Sequence, residues 1–511
     1  MGHRSRLASA GLVAGIASLA FSSAASADLD EVNTQRLRQD VTVNGILRHE
    51  RALQFVANAN AGTRASGTPG YRASVDYVKR RLERAGYRVT EQEFVFPFFR
   101  NTADPELEQV SPTPTTYETA TFTYSGSGEV AGRLVPATDN VLPPTPEPSS
   151  AAGCEPGDFP TASDTAPEVA LVQRGTCTFE EKVANAQAAG YDAVIVFNEG
   201  QDGRQELLSG TLGRPFEIPV VGLSFADGSA LDAAARAGDV EMRVFTSTET
   251  NLEATTWNLL AETRKGDKSE QVIVGAHLDS VVEGPGINDN GSGSATILEI
   301  AEELAEARIK PRRQLKFAFW GAEEAGLLGS EHYVDQLGAE GIGDVYANLN
   351  FDMVASPNYV RFVYDGDGSD TPASGPPGSA QIEALFNEHF ASQGLATDPT
   401  AFDGRSDYGP FIAAGVPAGG LFSGAEGIKT PEQAAVYGGT AGVAYDACYH
   451  KACDTINNLS TRALSEMSDG VAHATLTLAR SRSGFFEDDS RLVGRRETSG
   501  DRGTDGPHER R

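Results

Sequence analysis

The chain has 511 residues, more than the roughly 100–200 residues of one ordinary domain. Hydrophobic residues make up 40% of it, a globular composition that excludes a polytopic membrane protein and a wholly disordered chain. The net charge of −29 argues against nucleic acid or an anionic membrane as a partner, because both would repel an acidic protein.

The first 27 residues carry the pattern of an export signal. Arg4 and Arg6 precede an apolar run over 7–21, and small residues lead to Ala25-Ser26-Ala27. A charged start, a short apolar core and an A-x-A site predict a secretory signal peptide over 1–27. A membrane anchor would need about 20 apolar residues, so we expect a secreted, extracellular protein.

The segment 28–114 is predicted to be the N-terminal part of a larger domain. Helical spacing of apolar residues over 34–60 and over 71–85 predicts amphipathic helices. Gly86 ends the second of these, and a strand starts at Tyr87.

The segment 115–247 has a different texture and is predicted to be a smaller, β-rich α/β domain. Its predicted strands are 169–172, 193–197 and 218–221, and its predicted helices are 179–189 and 227–237.

From 248 to 486, strands and helices alternate. The predicted strands are 271–276, 314–320, 345–353 and 416–422, and the predicted helices are 292–307, 324–337, 381–393 and 464–481. This alternation predicts a doubly wound, mainly parallel α/β sheet with helices on both faces. The remaining residues, 487–511, are charged and nearly free of apolar side chains, which predicts a disordered tail.

Chemistry-bearing side chains follow several of these predicted strands. His277 ends one strand, and a Gly-rich loop after it contains Asp289. The pair Glu323-Glu324 follows the next strand, and Asp352 follows the third. Ligands of an open α/β sheet bind beyond the carboxyl ends of its strands. We therefore expect these groups to converge, joined by a late histidine, His450, on the loop before the closing helix.

Two histidines and three carboxylates are imidazole and oxygen ligands that suit zinc. Two ions about 3.5–4 Å apart need a bridging ligand, and the two oxygens of Asp289 could supply it. One ion would take His277 and Asp352, and the other would take Glu324 and His450.

Two neighbouring carboxylates are left for supporting roles. Asp279 would accept the other ring N–H of His277 and fix its tautomer, and Glu323 would be the general base. Each group alone has an ordinary explanation: Asn-Asp-Asn-Gly suits a turn, and a Glu-Glu pair suits the start of a helix. We favour a metal site because the order, position and ligand type of all the groups agree.

The four cysteines all follow the predicted signal peptide. An even number in an exported protein suggests two disulfide bonds with three possible connectivities. Proximity favours Cys154–Cys177 and Cys448–Cys453. The alternative is a zinc cluster formed by Cys448, His450 and Cys453, which an oxidising compartment disfavours.

These motifs resemble those of secreted bacterial dizinc aminopeptidases of the leucyl type. The similar stretches are Gly-Ala-His-Leu-Asp-Ser, Gly-Ile-Asn-Asp-Asn-Gly-Ser-Gly, Phe-Trp-Gly-Ala-Glu-Glu and Asn-Phe-Asp-Met. The resemblance covers most of 250–480 and extends to the lead-in over 34–92. Residues 115–245 resemble the protease-associated domain, clearest at Val172-Gln173-Arg174-Gly175-Thr176-Cys177-Thr178-Phe179, and the family implies that this domain is an insertion.

The resemblance carries functional roles onto individual residues. It implies two zinc ions per chain, held by His277, Asp289, Glu324, Asp352 and His450, with Glu323 as general base for a zinc-bridged hydroxide. It further implies that Tyr449 polarises the substrate carbonyl, that Arg405 positions the substrate, and that a disulfide flanks the last histidine. It also implies a cis peptide bond after Asp289.

The resemblance predicts a secreted exopeptidase that removes large apolar N-terminal residues, such as Leu, from peptides with a free N-terminus. We expect a monomer. Some relatives also bind calcium, and Asp365-Gly366-Asp367-Gly368-Ser369-Asp370 is acidic enough for such a site, although a hairpin turn explains it better. The alternatives are a dizinc carboxypeptidase or amidohydrolase, a glutaminyl cyclase-like enzyme and a non-catalytic binding protein on the same scaffold. The complete ligand set disfavours the last two.

Overall fold

The structure is a computed structural model that describes residues 32–481 and residue 486. The predicted signal peptide and the predicted C-terminal tail lie outside the described residues. Within the described part, no helix is long and apolar enough to cross a membrane.

The predicted helices are present in the predicted order. The helices of the structure are α1 Gln35–Asp40, α2 Val43–Ala59, α3 Pro69–Ala85, α4 Phe179–Ala188, α5 Phe225–Ala237, α6 Gly293–Glu306, α7 Leu328–Asp344, α8 Ser379–Ser392, α9 Gly409–Ala413, α10 Pro431–Tyr437 and α11 Thr461–Arg480. The segment 34–60 forms two of these helices, and α9 and α10 were not predicted. Short 3₁₀ and π-type turns occupy Pro156–Asp158 and Ile287–Ser292.

The strands are β1 Arg88–Ser111, β2 Thr115–Tyr117, β3 Ala120–Thr121, β4 Gly128–Pro136, β5 Glu168–Gln173, β6 Ala193–Phe197, β7 Val220–Leu223, β8 Glu241–Glu262, β9 Asp267–His277, β10 Arg313–Trp320, β11 Val345–Phe351, β12 Phe362–Tyr364, β13 Asp398–Thr400 and β14 Ala418–Phe422. They form one continuous sheet in the order β13-β12-β14-β11-β9-β10-β8-β4-β5-β6-β7-β3. Strands β14, β11, β9 and β10 are parallel neighbours.

Helices cover both faces of the β14-β11-β9-β10 part of the sheet. In β9, Val272 and Val274 pack into a core with α2, α3, α6, α8 and α11, whereas Ile273 points to the opposite core with α7 and α9. This alternation of side chains is what a parallel sheet buried on both faces requires. The β5-β6-β7 part is covered in the same way by α4 on one face and α5 on the other.

A long antiparallel ribbon of β1 and β8 joins the two parts of the sheet. Strand β8 pairs with β4 over residues 241–246 and with β10 over residues 259–262. The sequence predicted only the start of β1 and did not predict β8. The domain limits 28–114, 115–247 and 248–486 stay predictions, and position 247 falls within β8.

Two local predictions need correction. Helix α3 begins at Pro69, two residues earlier than expected, because Thr68 caps it through its side chain and proline suits the first helical position. Helix α7 begins at Leu328, so Glu323 and Glu324 do not open a helix. They lie in the turn between β10 and α7, so neither carboxylate belongs to the first turn of the helix.

Candidate active site

Three strand ends bring the predicted groups to one edge of the sheet. Strand β9 lies between β11 and β10, and the three strands are parallel. His277 is the last residue of β9, Asp352 follows β11, and the pair Glu323-Glu324 follows β10. Because the carboxyl ends of parallel strands meet at one edge, side chains that are 75 residues apart come within reach of each other.

The loop before α6 delivers Asp289 to this edge. Asn290 donates to the Phe351 carbonyl at 2.9 Å and accepts from the amides of Gly293 and Met353, so it fastens the loop to the end of β11. Position 293 must be glycine, since a Cβ there would lie 2.1 Å from the carbonyl oxygen of Phe351. The peptide bond between Asp289 and Asn290 is cis, as the resemblance implies.

His450 comes from the loop between α10 and α11. The disulfide Cys448–Cys453 closes this loop around it, and the residue adopts a left-handed conformation with φ of 55°. The second disulfide joins Cys154 to Cys177. Both favoured pairings are therefore present, and the alternative cysteine-zinc cluster is wrong because both thiols of Cys448 and Cys453 are consumed.

The distances divide the predicted ligands into two groups that share Asp289. His277 Nε2 lies 3.2 Å from Asp289 Oδ1 and 3.3 Å from Asp352 Oδ1. His450 Nε2 lies 3.2 Å from Asp289 Oδ2 and 3.1 Å from Glu324 Oε2. Each oxygen of Asp289 thus faces a different histidine. This is the arrangement that a bridging carboxylate between two ions requires.

Asp279 lies beside His277 but contacts it in a different way from that predicted. His277 Nδ1 is 3.2 Å from the backbone carbonyl oxygen of Asp279 and 3.6 Å from its carboxylate Oδ1. The carboxylate also accepts the backbone amide of Glu323 at 3.4 Å. Asp279 can therefore fix the imidazole tautomer through its carbonyl, while its carboxylate steadies the turn that carries Glu323.

Burial and mutual charge set the protonation of the site. Burial alone would lower the pKa of His277, but the charges of Glu323 and Asp352 outweigh it and raise this pKa well above its usual value. Burial raises the pKa of Glu323 well above its usual range and that of Glu324 to about 7. The opposite holds for Asp289, since hydrogen bonds from both histidines outweigh burial and lower its pKa.

Tyr449 and Arg405 lie at the rim of the site. The Tyr449 ring stacks on His450 with centroids 3.8 Å apart, and burial raises the pKa of its phenol. Arg405 is mostly exposed, and its guanidinium pairs with Glu426 at 2.9 Å. The backbone amide of Arg405 also donates to Asp403 Oδ1 at 3.1 Å.

The acidic stretch considered for calcium forms a turn. The Asp365 carboxylate accepts backbone amides of the next residues, including Gly368 at 2.8 Å and Asp370 at 3.0 Å. Asp367 and Glu383 lie near it. These contacts satisfy the turn, and calcium binding here stays a prediction.

Several residues that support the site were missed from the sequence. Arg64 is fully buried and donates to the carbonyl oxygens of Leu278, Pro285 and Gly286. Ser406 donates to Asp352 Oδ2 at 2.6 Å. Ser406 could have been found, because it adjoins Arg405. The hydrogen bonds of the Arg64 guanidinium end on backbone carbonyl oxygens, which leave no signal in the sequence.

Comparisons with known proteins agree with this geometry. A model of Peptidase family M28 matches residues 258–475, and a PA domain model matches residues 130–231. An aminopeptidase of Pseudomonas aeruginosa (strain PAO1) is 46% identical over 445 residues, which cover 86% of this chain and 81% of the relative. This chain belongs to peptidase family M28. The resemblance seen in the sequence, with its inserted PA domain, is therefore confirmed, and the protein is a hydrolase of the aminopeptidase type.

Further relatives of this M28 protein support the same fold. Leucine aminopeptidase 2 of Trichophyton equinum is 39% identical over 461 residues, which cover 89% of this chain and 88% of the relative. The structure of an aminopeptidase from Aneurinibacillus sp. strain AM-1 superposes with a TM-score of 0.65 at 26% identity and covers 88% of this chain and 97% of that one. The predicted α/β fold class is confirmed.

Proposed function

We propose that this M28 aminopeptidase removes N-terminal residues with the help of two zinc ions. His277 and Asp352 would hold one ion, Glu324 and His450 would hold the other, and Asp289 would contact both. The observation that carries the proposal is the position of Asp289, whose two oxygens each lie 3.2 Å from a different histidine nitrogen.

The chemistry of the ligands fits zinc. Imidazole nitrogens and carboxylate oxygens are its usual ligands, and three protein ligands at each ion are typical of catalytic sites. Glu324 Oε1 is buried and has no hydrogen-bond partner, so an acceptor is left unused. Within the described residues no Arg or Lys pairs with the four carboxylates Asp289, Glu323, Glu324 and Asp352. Bound cations would neutralise this clustered negative charge. A zinc aminopeptidase of Bacillus subtilis has a similar structure at 25% identity and a TM-score of 0.62.

Bound zinc would act as a Lewis acid toward the peptide carbonyl and the attacking water. Glu323 is the residue that moves the proton. Its carboxylate lies 3.9 Å from His277 Nε2, and burial raises its pKa, so the group accepts a proton more readily than an exposed glutamate. The water oxygen bonds to the carbonyl carbon, Glu323 takes the proton, and the C–N bond breaks as Glu323 donates that proton to the leaving amine.

Tyr449 and Arg405 act on the substrate in this proposal. Because burial raises its pKa, the Tyr449 phenol stays protonated and donates a hydrogen bond to the substrate carbonyl oxygen, where negative charge develops. Arg405 reaches the substrate from the exposed rim and positions it.

The substrate is proposed to be a peptide with a free N-terminus and a large apolar first residue. The carboxylate oxygens of Glu323 and Asp352 can accept hydrogen bonds from the free amine of the substrate. The preference for leucine rests on relatives such as leucine aminopeptidase 2 of Trichophyton equinum.

Three further points belong to this proposal. The apolar run over 7–21 and the two disulfides support export to an oxidising compartment. The limits 115–247 remain our assignment for the inserted domain, and a monomer remains our expectation.

A pair of small substrates tests the proposal. We expect the purified enzyme to hydrolyse leucine p-nitroanilide and to leave N-acetyl-leucine p-nitroanilide intact. Exhaustive chelation should abolish the activity, and added zinc should restore it. Equal cleavage of the blocked substrate would favour an amidohydrolase, and activity that resists chelation would refute metal catalysis.

A further inference from the structure

The loop that carries His450 is hydrogen-bonded to the loop that carries Asp289. The contact is made by Asp454, which directly follows the disulfide-bonded Cys453 and is 1% exposed. Its carboxylate accepts the backbone amide of Asn288 at 2.9 Å through Oδ1 and that of Asp289 at 3.0 Å through Oδ2. Two consecutive amides of the metal-site loop therefore end on one buried side chain.

The backbone of Asp454 adds a third bond to the same loop. Its carbonyl oxygen accepts the amide of Ile287 at 3.2 Å. Three successive amides, at 287, 288 and 289, thus point at one residue. These bonds restrain the backbone from which the side chain of Asp289 extends toward the two histidines.

Asp454 is itself held by a buried network. Asn458 Nδ2 donates to Asp454 Oδ1 at 3.1 Å and to Asp446 Oδ1 at 2.9 Å. Asp446 also accepts the side chain of Asn288 at 2.6 Å and the backbone amide of Cys448 at 2.8 Å. The network therefore ties the beginning and the end of the disulfide loop to the residue that precedes Asp289.

We propose that Asp454 is a positioning residue that sets the bridging carboxylate Asp289 at the correct distance from His450. The inference deepens the proposed function and rests on its two-zinc site. Asp289 would contact both ions, so a displacement of its backbone would disturb both. Groups that orient metal ligands in this way commonly change metal affinity about 10- to 100-fold when they are replaced.

The hydrogen bonds of Asp454 require two acceptor oxygens. Both oxygens of Asp454 accept hydrogen bonds, and the partners Asn288 N, Asp289 N and Asn458 Nδ2 are all donors. In Asp454→Asn one oxygen becomes an NH₂ group, which would face at least one of these donors in either orientation. The substitution keeps the volume and removes one acceptor.

The test is zinc affinity of the full-length enzyme, measured by competition with a chromophoric chelator. We expect Asp454→Asn to bind zinc about 10- to 100-fold more weakly and to show faster amide hydrogen exchange at residues 287–289 in the metal-free protein. Zinc affinity within twofold of wild type would overturn the inference. If wild type itself bound no zinc, the proposed function would fail instead.

Two further variants keep the result interpretable. Asp232→Asn changes an equally buried aspartate that pairs with Arg236 far from any proposed ligand, and it should leave zinc affinity unchanged. Asn458→Ala removes a donor and keeps the Asp454 carboxylate, so it should weaken zinc binding less than Asp454→Asn but in the same direction. If Asp454→Asn does not fold, unchanged zinc affinity in Asn458→Ala overturns the inference.

Discussion

The catalytic region and the PA region both place acidic side chains after buried parallel strands, but they neutralise them differently. In the PA region, Glu199 follows β6, accepts two backbone amides and pairs with Arg204 at 2.7 Å. In the catalytic region, the described charged partners of Glu323, Glu324 and Asp352 are histidines alone. The folded chain thus supplies Glu199 with a cationic partner and two amide donors, whereas the clustered carboxylates of the catalytic site have only histidines beside them.

Acids after parallel strands can therefore either stabilise the fold, as Glu199 does, or remain available for a metal ion. Like charges that are buried together raise one another's pKa and destabilise the fold, unless a cation or a proton neutralises them. In the catalytic region the folded chain therefore carries a cost that metal binding relieves. Replacing an acidic residue of the catalytic region should reduce turnover. Replacing the buried Glu199 in the PA region should reduce the stability of the fold.

The largest expected effect comes from Glu323→Gln. Removing the proposed general base should lower kcat on leucine p-nitroanilide by about 10²- to 10⁴-fold, with zinc content unchanged by elemental analysis. The melting temperature of the metal-free protein should stay the same or rise, because one of several clustered negative charges is removed. Turnover within tenfold of wild type would exclude Glu323 as the base.

The matched control is Glu199→Gln in the PA region. This residue is 1% exposed, and breaking its contacts should lower the free energy of unfolding by about 1–3 kcal/mol while kcat stays at the wild-type value. Loss of turnover in this variant would break the comparison between the two regions.

Tyr449→Phe should have the next largest effect. Removing one hydrogen-bond donor to a developing oxyanion lowers kcat by about 10²-fold or more, and we expect zinc content to remain unchanged. Tyr445→Phe is the control, because that hydroxyl bonds to Gln433 at 2.7 Å and plays no part in the proposed reaction. Equal activity of the two variants would remove Tyr449 from the mechanism.

Arg405→Ala tests a weaker contact at the rim. An exposed charged contact contributes about 1 kcal/mol, so kcat/KM should fall about fivefold. Glu426→Ala breaks the same ion pair but keeps the guanidinium, and kcat/KM should then stay within twofold. Equal losses in both variants would mean that the ion pair, rather than contact with substrate, is what matters.

The smallest expected effect is on stability, at Glu91, a carboxylate outside the site that pairs with Arg72 and Lys79. Hydrogen bonds and charge from Arg72, and then Lys79, lower the pKa of Glu91 to about 2. The ionised Glu91 therefore stabilises the folded state fully above the unfolded-state pKa near 4.5. This stabilisation is lost as the pH falls toward 2. The free energy of unfolding of Glu91→Gln should therefore be about 1 kcal/mol lower than that of wild type at pH 7. This difference should vanish near pH 2. A difference independent of pH would contradict the ion-pair account.

The strand ends of the catalytic region were predictable because their signals are local. A buried apolar strand followed at once by His277 or Asp352 fixes both the element and the edge on which the side chain lies. Asp289 was recognised because a Gly-rich loop between strand and helix is a distinct pattern. The proposed ligands therefore needed no knowledge of distant contacts.

The β1/β8 ribbon was not predictable from the same kind of pattern. Strand β1 contains Pro97 and Pro105, and proline within a run argues against a strand. The register shifts between Phe96 and Phe98 and between Ala103 and Glu106 show that irregular pairing accommodates both prolines. Asp454 was missed for another reason: its partners are backbone amides 165 and 166 residues away, and amides carry no residue identity.

The measurement that tests the central claim most directly is a crystal structure of the zinc-loaded enzyme with anomalous scattering recorded at the zinc edge. We predict two peaks about 3.5–4 Å apart, one beside His277 and Asp352 and the other beside Glu324 and His450, each next to a different oxygen of Asp289. A single peak, or two peaks that do not share Asp289, would contradict the account.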